Sequence, residues 1–345
     1  MKNILAFLMI LFFAACSSKE QSAIQTIDLA DIPVQQVKFE VLPLDTSKIL
    51  YPQGIYVFKD HIILMTPMEE HLFTFWDRKT LEYEFSTTVK GQGPNDLTSL
   101  NPLYFASSDS SIFVLDRHLE KEMLLDDNQL KTINRTSIVI GNTINGLFKV
   151  DDANYIMFGV NNKADCEHYK YDGENISKFG TLPCPAPNES IKEYEVWQFN
   201  SKTIAGKQGK NVFFNFYTYL NLVREYDVEG NLLKEIKLEG MPQKENTYSM
   251  YLNRVDYPAT PYWSFARATE KHVYVLFNQG QTCQELWRDD IETPPDVELQ
   301  VWNWDGSLEA RYKFDKPFSR YIISEDGIMY AYDWYKGDAV YRYKF

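Results

Sequence analysis

Four strand types, rich in Val, Ile, Tyr and Phe, recur in the same order along almost the whole chain, and this repeat restricts the fold more than any other feature. The first type appears at Gly54–Lys59, Pro102–Ala106, Gly146–Val150, Lys202–Ala205, Trp263–Ala268 and Arg320–Ser324. Each is followed, after a short polar turn, by a second strand. A third strand often ends in an acid, as in Leu72–Asp77 and Leu222–Asp227, and a fourth follows it. Asp172-Gly173, Glu229-Gly230-Asn231 and Asp305-Gly306 lie between third and fourth strands, where glycine accepts the positive φ of a tight hairpin. The pattern is a meander of neighbouring antiparallel strands, with no convincing helical period after residue 16 beyond a turn near Glu189–Trp197.

Five units are complete. The sixth ends at Val340–Phe345 without a fourth strand, while a spare strand, Val37–Leu44, precedes the first unit. Lending it to the last unit closes a ring and removes the exposed sheet edges. The expectation is an all-β, six-bladed β-propeller over residues 36–345, four antiparallel strands per blade, the last closed by the N-terminal strand. A pair of β-sandwiches would leave the repeat and the spare strand unexplained.

Met1–Cys16 has the anatomy of a cleavable leader: Lys2, the apolar run Ile4–Phe13, then small residues before a cysteine. The run is too short for a comfortable permanent span. The position of Cys16 resembles the bacterial lipobox. That resemblance implies a signal peptide over 1–15, lipidation of Cys16 and, with Ser17 rather than Asp after it, an outer-membrane address. Residues 16–35 are polar enough to serve as a tether.

Lys90-Gly91-Gln92-Gly93-Pro94-Asn95-Asp96-Leu97 resembles the Gly-x-Gly-Pro-x-(Glu/Asp) signature of six-bladed, TolB-like propeller lipoproteins of Bacteroidetes, with Asp96 where Glu is usual. The resemblance implies fold and address more than activity. Gly91 and Gly93 suit a tight inter-blade turn. A phosphate-cradling loop would need a helix N-terminus after the glycines.

By up-and-down alternation the long excursions Val89–Asn101, Pro183–Phe199, Gly240–Tyr262 and Gln279–Val297 share one face, where insertions often mark a binding side. They carry the binding candidates Tyr194, Trp197, Tyr251, Arg254, Trp287 and Arg288, together with Tyr248, Tyr257 and Tyr262. Tyr, Trp and Arg dominate interface energetics, although aromatics also pin loops by burial. The partner expected is a protein, peptide or glycan. A net charge of −13 repels phosphate backbones and argues against nucleic acid.

Neither metal nor cofactor is expected: the histidines are scattered, with no zinc spacing, EF-hand loop or Gly-x-Ser-x-Gly elbow. A binding role is therefore preferred to catalysis. A glycan-acting hydrolase or lyase with carboxylates at the channel mouth is the alternative, and a structural envelope subunit the third. Cys166 and Cys184 flank one hairpin and are the disulfide candidates, leaving Cys283 over.

Overall fold

The computed structural model describes residues 24–49, 52–66, 69–138, 144–186, 188–241, 261–278, 297–333 and 337–345. Six sheets form six blades, each with a four-strand antiparallel meander. The inner strands are Gly54–Phe58, Leu100–Ser107, Gly146–Lys149, Lys202–Ala205, Trp263–Ala268 and Arg320–Ile323. Each touches the next, and the sixth touches the first, so they line a central axis. The expected hairpin glycines Gly173, Gly230 and Gly306 all have positive φ, +93°, +97° and +81°.

Closure is as expected. Glu40–Pro43 pairs antiparallel with Ala339–Lys344, placing Leu42 opposite Val340. Arg342 grips Glu40 with two bonds of 2.8 Å, and Leu44 N donates to Asp338 O at 3.0 Å. Val340 is wholly buried among Trp76, Tyr330 and Tyr332. The spare strand is shorter than Val37–Leu44 because Phe39 turns inward. Its ring stacks on Phe314 at 4.2 Å and Tyr341 at 5.4 Å, and its N–H donates to Asp315 Oδ1 at 3.0 Å.

The tether expectation needs correcting between residues 24 and 35. Ile24–Asp28 adds a fifth, parallel strand to the outer strand Leu232–Glu239 of blade 4, and Val34–Val37 does the same to Leu308–Phe314 of blade 5. Both added strands are largely solvent-exposed, so their composition reads as a linker. Between them Leu29 is buried, and Arg311 donates to Leu29 O at 2.9 Å and Ile32 O at 3.0 Å. The segment covers two sheet edges before it closes the ring.

The glycine-rich motif is an inter-blade turn. Asp96 Oδ2 accepts from Gly93 N at 2.8 Å, and a Cβ at Gly91 or Gly93 would collide with that carboxylate. Lys121 Nζ donates to Asp96 O at 2.6 Å, and Asn95 Oδ1 accepts from Thr132 N at 2.9 Å, tying the turn to blade 2.

A chain beginning at residue 38 keeps the closing strand and loses both edge strands. It is expected to unfold cooperatively, with a midpoint lowered by roughly 5 °C. A chain beginning at residue 45 loses closure and is expected to lose the cooperative transition. Thermal melts followed by circular dichroism check both, and equal midpoints for all three chains would refute the strap.

Candidate functional site

The six inner strands converge on the axis, and their ends at the short-turn side enclose a cavity of about 630 Å³. It opens on the face opposite to the one carrying the long excursions. Its walls combine apolar groups such as Val57, Phe105, Leu147, Ile204 and Ile322 with five cations, Lys59, Arg78, Lys149, Lys207 and Arg267. The carboxylates there are Asp109, Glu325 and Asp326, all exposed.

Most of these charges are already matched. Arg78 pairs with Asp326 at 2.6 Å and donates to Tyr330 Oη at 3.1 Å. Lys207 pairs with Glu325 at 2.6 Å, and Lys149 reaches buried Glu120 at 3.2 Å. Asp326 stays below the usual carboxylate range: burial opposes this, but Ser324 and Arg78 outweigh it. Among the described residues Arg267 has no carboxylate partner and gives one hydrogen bond, to Ala266 O at 3.1 Å.

Arg267 is aimed by an irregular backbone. A bulge between Ser264 and Arg267 breaks the pairing with His272–Asn278, and Phe265 sits at φ +50°. Bulges re-aim side chains, and a bulky residue in the left-handed region persists only where its surroundings hold it. Here Tyr321 Oη donates to Phe265 O at 2.6 Å, and the Arg320 guanidinium lies 4.2 Å from the Phe265 ring centre. Tyr56 stacks on Phe105 with ring centres 4.1 Å apart; burial pushes its phenol up to about 12, against the opposing pull of Arg267 and Arg320.

On the long-loop face, a seven-residue helix, Glu193–Phe199, carries two of the sequence candidates. Tyr194 is 44% exposed. Trp197 is half-buried, its indole nitrogen packed over Gly159. Beside the helix lies a cleft of about 530 Å³ walled by Leu182, Pro185, Ile191 and Val196, with Asp165 and Glu193 at its polar side. Tyr262 is a wholly buried anchor whose backbone bridges Thr218 and Asn278. Tyr251, Arg254, Trp287 and Arg288 lie outside the described residues, as do Cys16, Tyr248, Tyr257 and Cys283.

The Cys166–Cys184 bridge is not formed; both are free thiols. The hairpin ends do meet, with Glu167 N on Gly180 O at 3.3 Å. Four residues later, however, Cys184 is held away by Asn200, which donates to its carbonyl at 2.7 Å and accepts from its N–H at 3.0 Å. Burial pushes the Cys166 thiol up to about 11.

Next to the cleft, blades 3 and 4 are joined by a buried polar cluster. Glu167 accepts from Arg224 and Tyr226, each at 2.7 Å, from Asn215 at 2.8 Å, and from Tyr217. His168 accepts from Asn215 at 2.8 Å through Nε2, and its Nδ1 meets no hydrogen-bond partner among the described residues. Burial holds His168 well below the usual imidazole range, and the cations Lys202 and Arg224 add to that.

The fold and the axial cavity define a six-bladed β-propeller with a recess on its axis. The chain matches the TolB-like 6-blade propeller-like family over residues 33–326, and it belongs to that family. Among solved structures it is similar to a Bacteroides fragilis NCTC 9343 protein described as exported: 11% identity, TM-score 0.54, 93% of this chain and 98% of that one. It is also similar to a DUF4221-family member from Bacteroides vulgatus ATCC 8482: 10% identity, TM-score 0.58, 90% of this chain and 97% of that one. No curated protein matches it by sequence.

Sequence reading missed the axial residues. A signal was present in Arg267, a cation in the mainly apolar inner strand Trp263–Ala268, although Lys149, Lys202 and Arg320 stand in other inner strands.

The His168 environment gives a pH prediction. A histidine kept neutral in the fold makes the unfolded chain the better proton binder below about pH 6.5. Unfolding free energy should therefore fall by about 1.4 kcal/mol per pH unit as pH drops below that value. Glu167 also faces the ring, 3.7 Å away, but its oxygens are already engaged. Urea melts of His168→Phe are expected to lack this component. An unchanged slope in the variant would refute the assignment.

Proposed function

We propose that this chain is an exported envelope protein, lipid-anchored through Cys16 to the outer membrane, which binds a small ligand at the short-turn mouth of its axial channel. The observation that carries the binding reading is the axial cavity: about 630 Å³, within the roughly 300–1,000 Å³ usual for small-molecule sites. Its wall mixes apolar groups with a few convergent polar ones, Arg267 among them, as such sites do. The exported description of the Bacteroides fragilis protein supports the address.

The anchor fits the architecture. Ile24 opposes Glu235 and runs parallel to the outer strand of blade 4, so the strand begins toward the short-turn side. The eight residues from Cys16 to Ile24 span at most about 29 Å, which would keep the ring close to the bilayer.

A second reading gives the long-loop face a protein, peptide or glycan partner. The exposed Tyr194 beside an apolar cleft of about 530 Å³ favours it. A glycan-acting hydrolase or lyase is less well supported. A general acid needs a raised pKa, whereas Asp326 at the mouth is held down by Ser324 and Arg78 against its burial.

Two measurements test the proposal. Cells labelled with a radioactive fatty acid are expected to mark the wild-type protein and not Cys16→Ser; equal labelling removes the anchor. A small-molecule library read by ligand-observed NMR is expected to give hits that disappear in Ile204→Trp, which fills the cavity, while the unfolding midpoint is retained. Hits unaffected by that substitution place binding elsewhere.

A further inference from the structure

We propose that the axial cavity receives a small organic monocarboxylate, its carboxylate paired with Arg267 and its apolar body against Val57, Phe105, Ile204 and Ile322. This rests on the axial-cavity reading and adds the chemical class of the ligand.

A guanidinium offers five N–H groups in a planar fork that matches a carboxylate bidentately. The described residues accept one bond from Arg267, at Ala266 O. The cavity wall holds the side chain where a bound anion would meet it.

The backbone supports the same conclusion. A regular strand would pair Trp263–Ala268 with His272–Asn278 throughout, and the bulge interrupts it immediately before Arg267. The adjacent Phe265 is kept at φ +50° by bonds and stacking from two residues of the neighbouring blade, Tyr321 and Arg320. Strain retained by such support, next to a cation in a recess, is the pattern of a positioned ligand group.

Charge selects the class. The chain carries −13 overall, yet its cavity wall has five cations against three carboxylates. Arg78, Lys149 and Lys207 are matched by Asp326, Glu120 and Glu325. Arg267 inside and Lys59 at the exposed rim remain, with Asp109 exposed on a neighbouring turn. One internal positive charge satisfies one negative charge. A phosphate dianion would bring a second charge with only Lys59 to meet it, and Lys59 shares the rim with the unmatched Asp109. The apolar part of the wall, Val57, Phe105, Ile204 and Ile322, offers a carbon body a surface that a bare ion would leave uncovered.

The test is calorimetric titration of the full-length protein with phenylacetate and hexanoate, their neutral amides, and inorganic phosphate. Support consists of binding by an acid, at least tenfold weaker binding of its amide, and a loss of about tenfold or more in Arg267→Gln, with partial retention in Arg267→Lys. The acid-against-amide comparison needs no variant, so it stands if Arg267→Gln fails to fold. Equal binding of acid and amide, both abolished by Ile204→Trp, overturns the carboxylate class and leaves the cavity reading intact. Phosphate binding more tightly than either acid overturns the monoanion assignment. Absence of binding by both acids overturns the proposal, and acid binding indifferent to Ile204→Trp overturns the cavity reading itself.

Discussion

Everything in this molecule depends on Glu40–Pro43 pairing with Ala339–Lys344. A propeller blade buries its faces only against its neighbours, so an open ring leaves two blades half-covered. The contact joins the two ends of the described chain, which makes the ring a loop-closure problem with nearly the longest loop available. The entropic cost of such closure grows only logarithmically with loop length. It is offset locally by Val340, Trp76 and Tyr330 in one apolar cluster and by the Arg342–Glu40 pair at the rim. The N-terminal segment adds to this by running along blades 4 and 5 before it reaches blade 6. One stretch of chain therefore ties three consecutive blades together.

Apolar wedges between blades can slide; fixed charges cannot. Glu120 of blade 2 accepts from Tyr104 of its own blade, and from Tyr155 at 2.8 Å and Lys149 at 3.2 Å of blade 3. Glu167, just before the third strand of blade 3, is held by Asn215, Tyr217, Arg224 and Tyr226 of blade 4. In blade 5, Glu298 binds Arg311 through two bonds of 2.8 Å, and Arg311 continues to the N-terminal strap. A buried ion pair adds little net stability over an apolar replacement, but removing one partner costs about 3–5 kcal/mol. Such pairs penalise a mis-set blade far more than they stabilise the correct one. They join blade 2 to blade 3, blade 3 to blade 4, and blade 5 to the N-terminal strap.

The parts of the fold legible in the sequence are those written in short periods. Strand alternation and the turns at Gly173, Gly230 and Gly306 located the blades, and the missing fourth strand of the sixth unit pointed to the closing strand. The edge strands Ile24–Asp28 and Val34–Val37 were not legible, since a strand exposed on both faces has the composition of a linker. The helix Glu193–Phe199 was too short for a period to show beyond a turn. The cysteine pairing failed for a non-local reason, because Asn200 captures the backbone of Cys184. Tyr194 and Tyr262 were indistinguishable as loop aromatics, yet one is exposed and the other wholly buried.

Arg267 marks the boundary of what a linear reading can reach. Its place in an inner strand was visible, but where it points was not, because facing in a strand is set by period two and a single bulge inverts it. The bulge is itself non-local: Phe265 holds its left-handed backbone because Tyr321 and Arg320, from the blade that receives the closing strand, bond and stack against it. Blade 6 is fixed on one side by Glu40–Pro43 and on the other presents Arg320 and Tyr321 to blade 5. Blade 6 therefore carries the closing seam on its outer strand and, on its inner strand, the two side chains that hold Phe265.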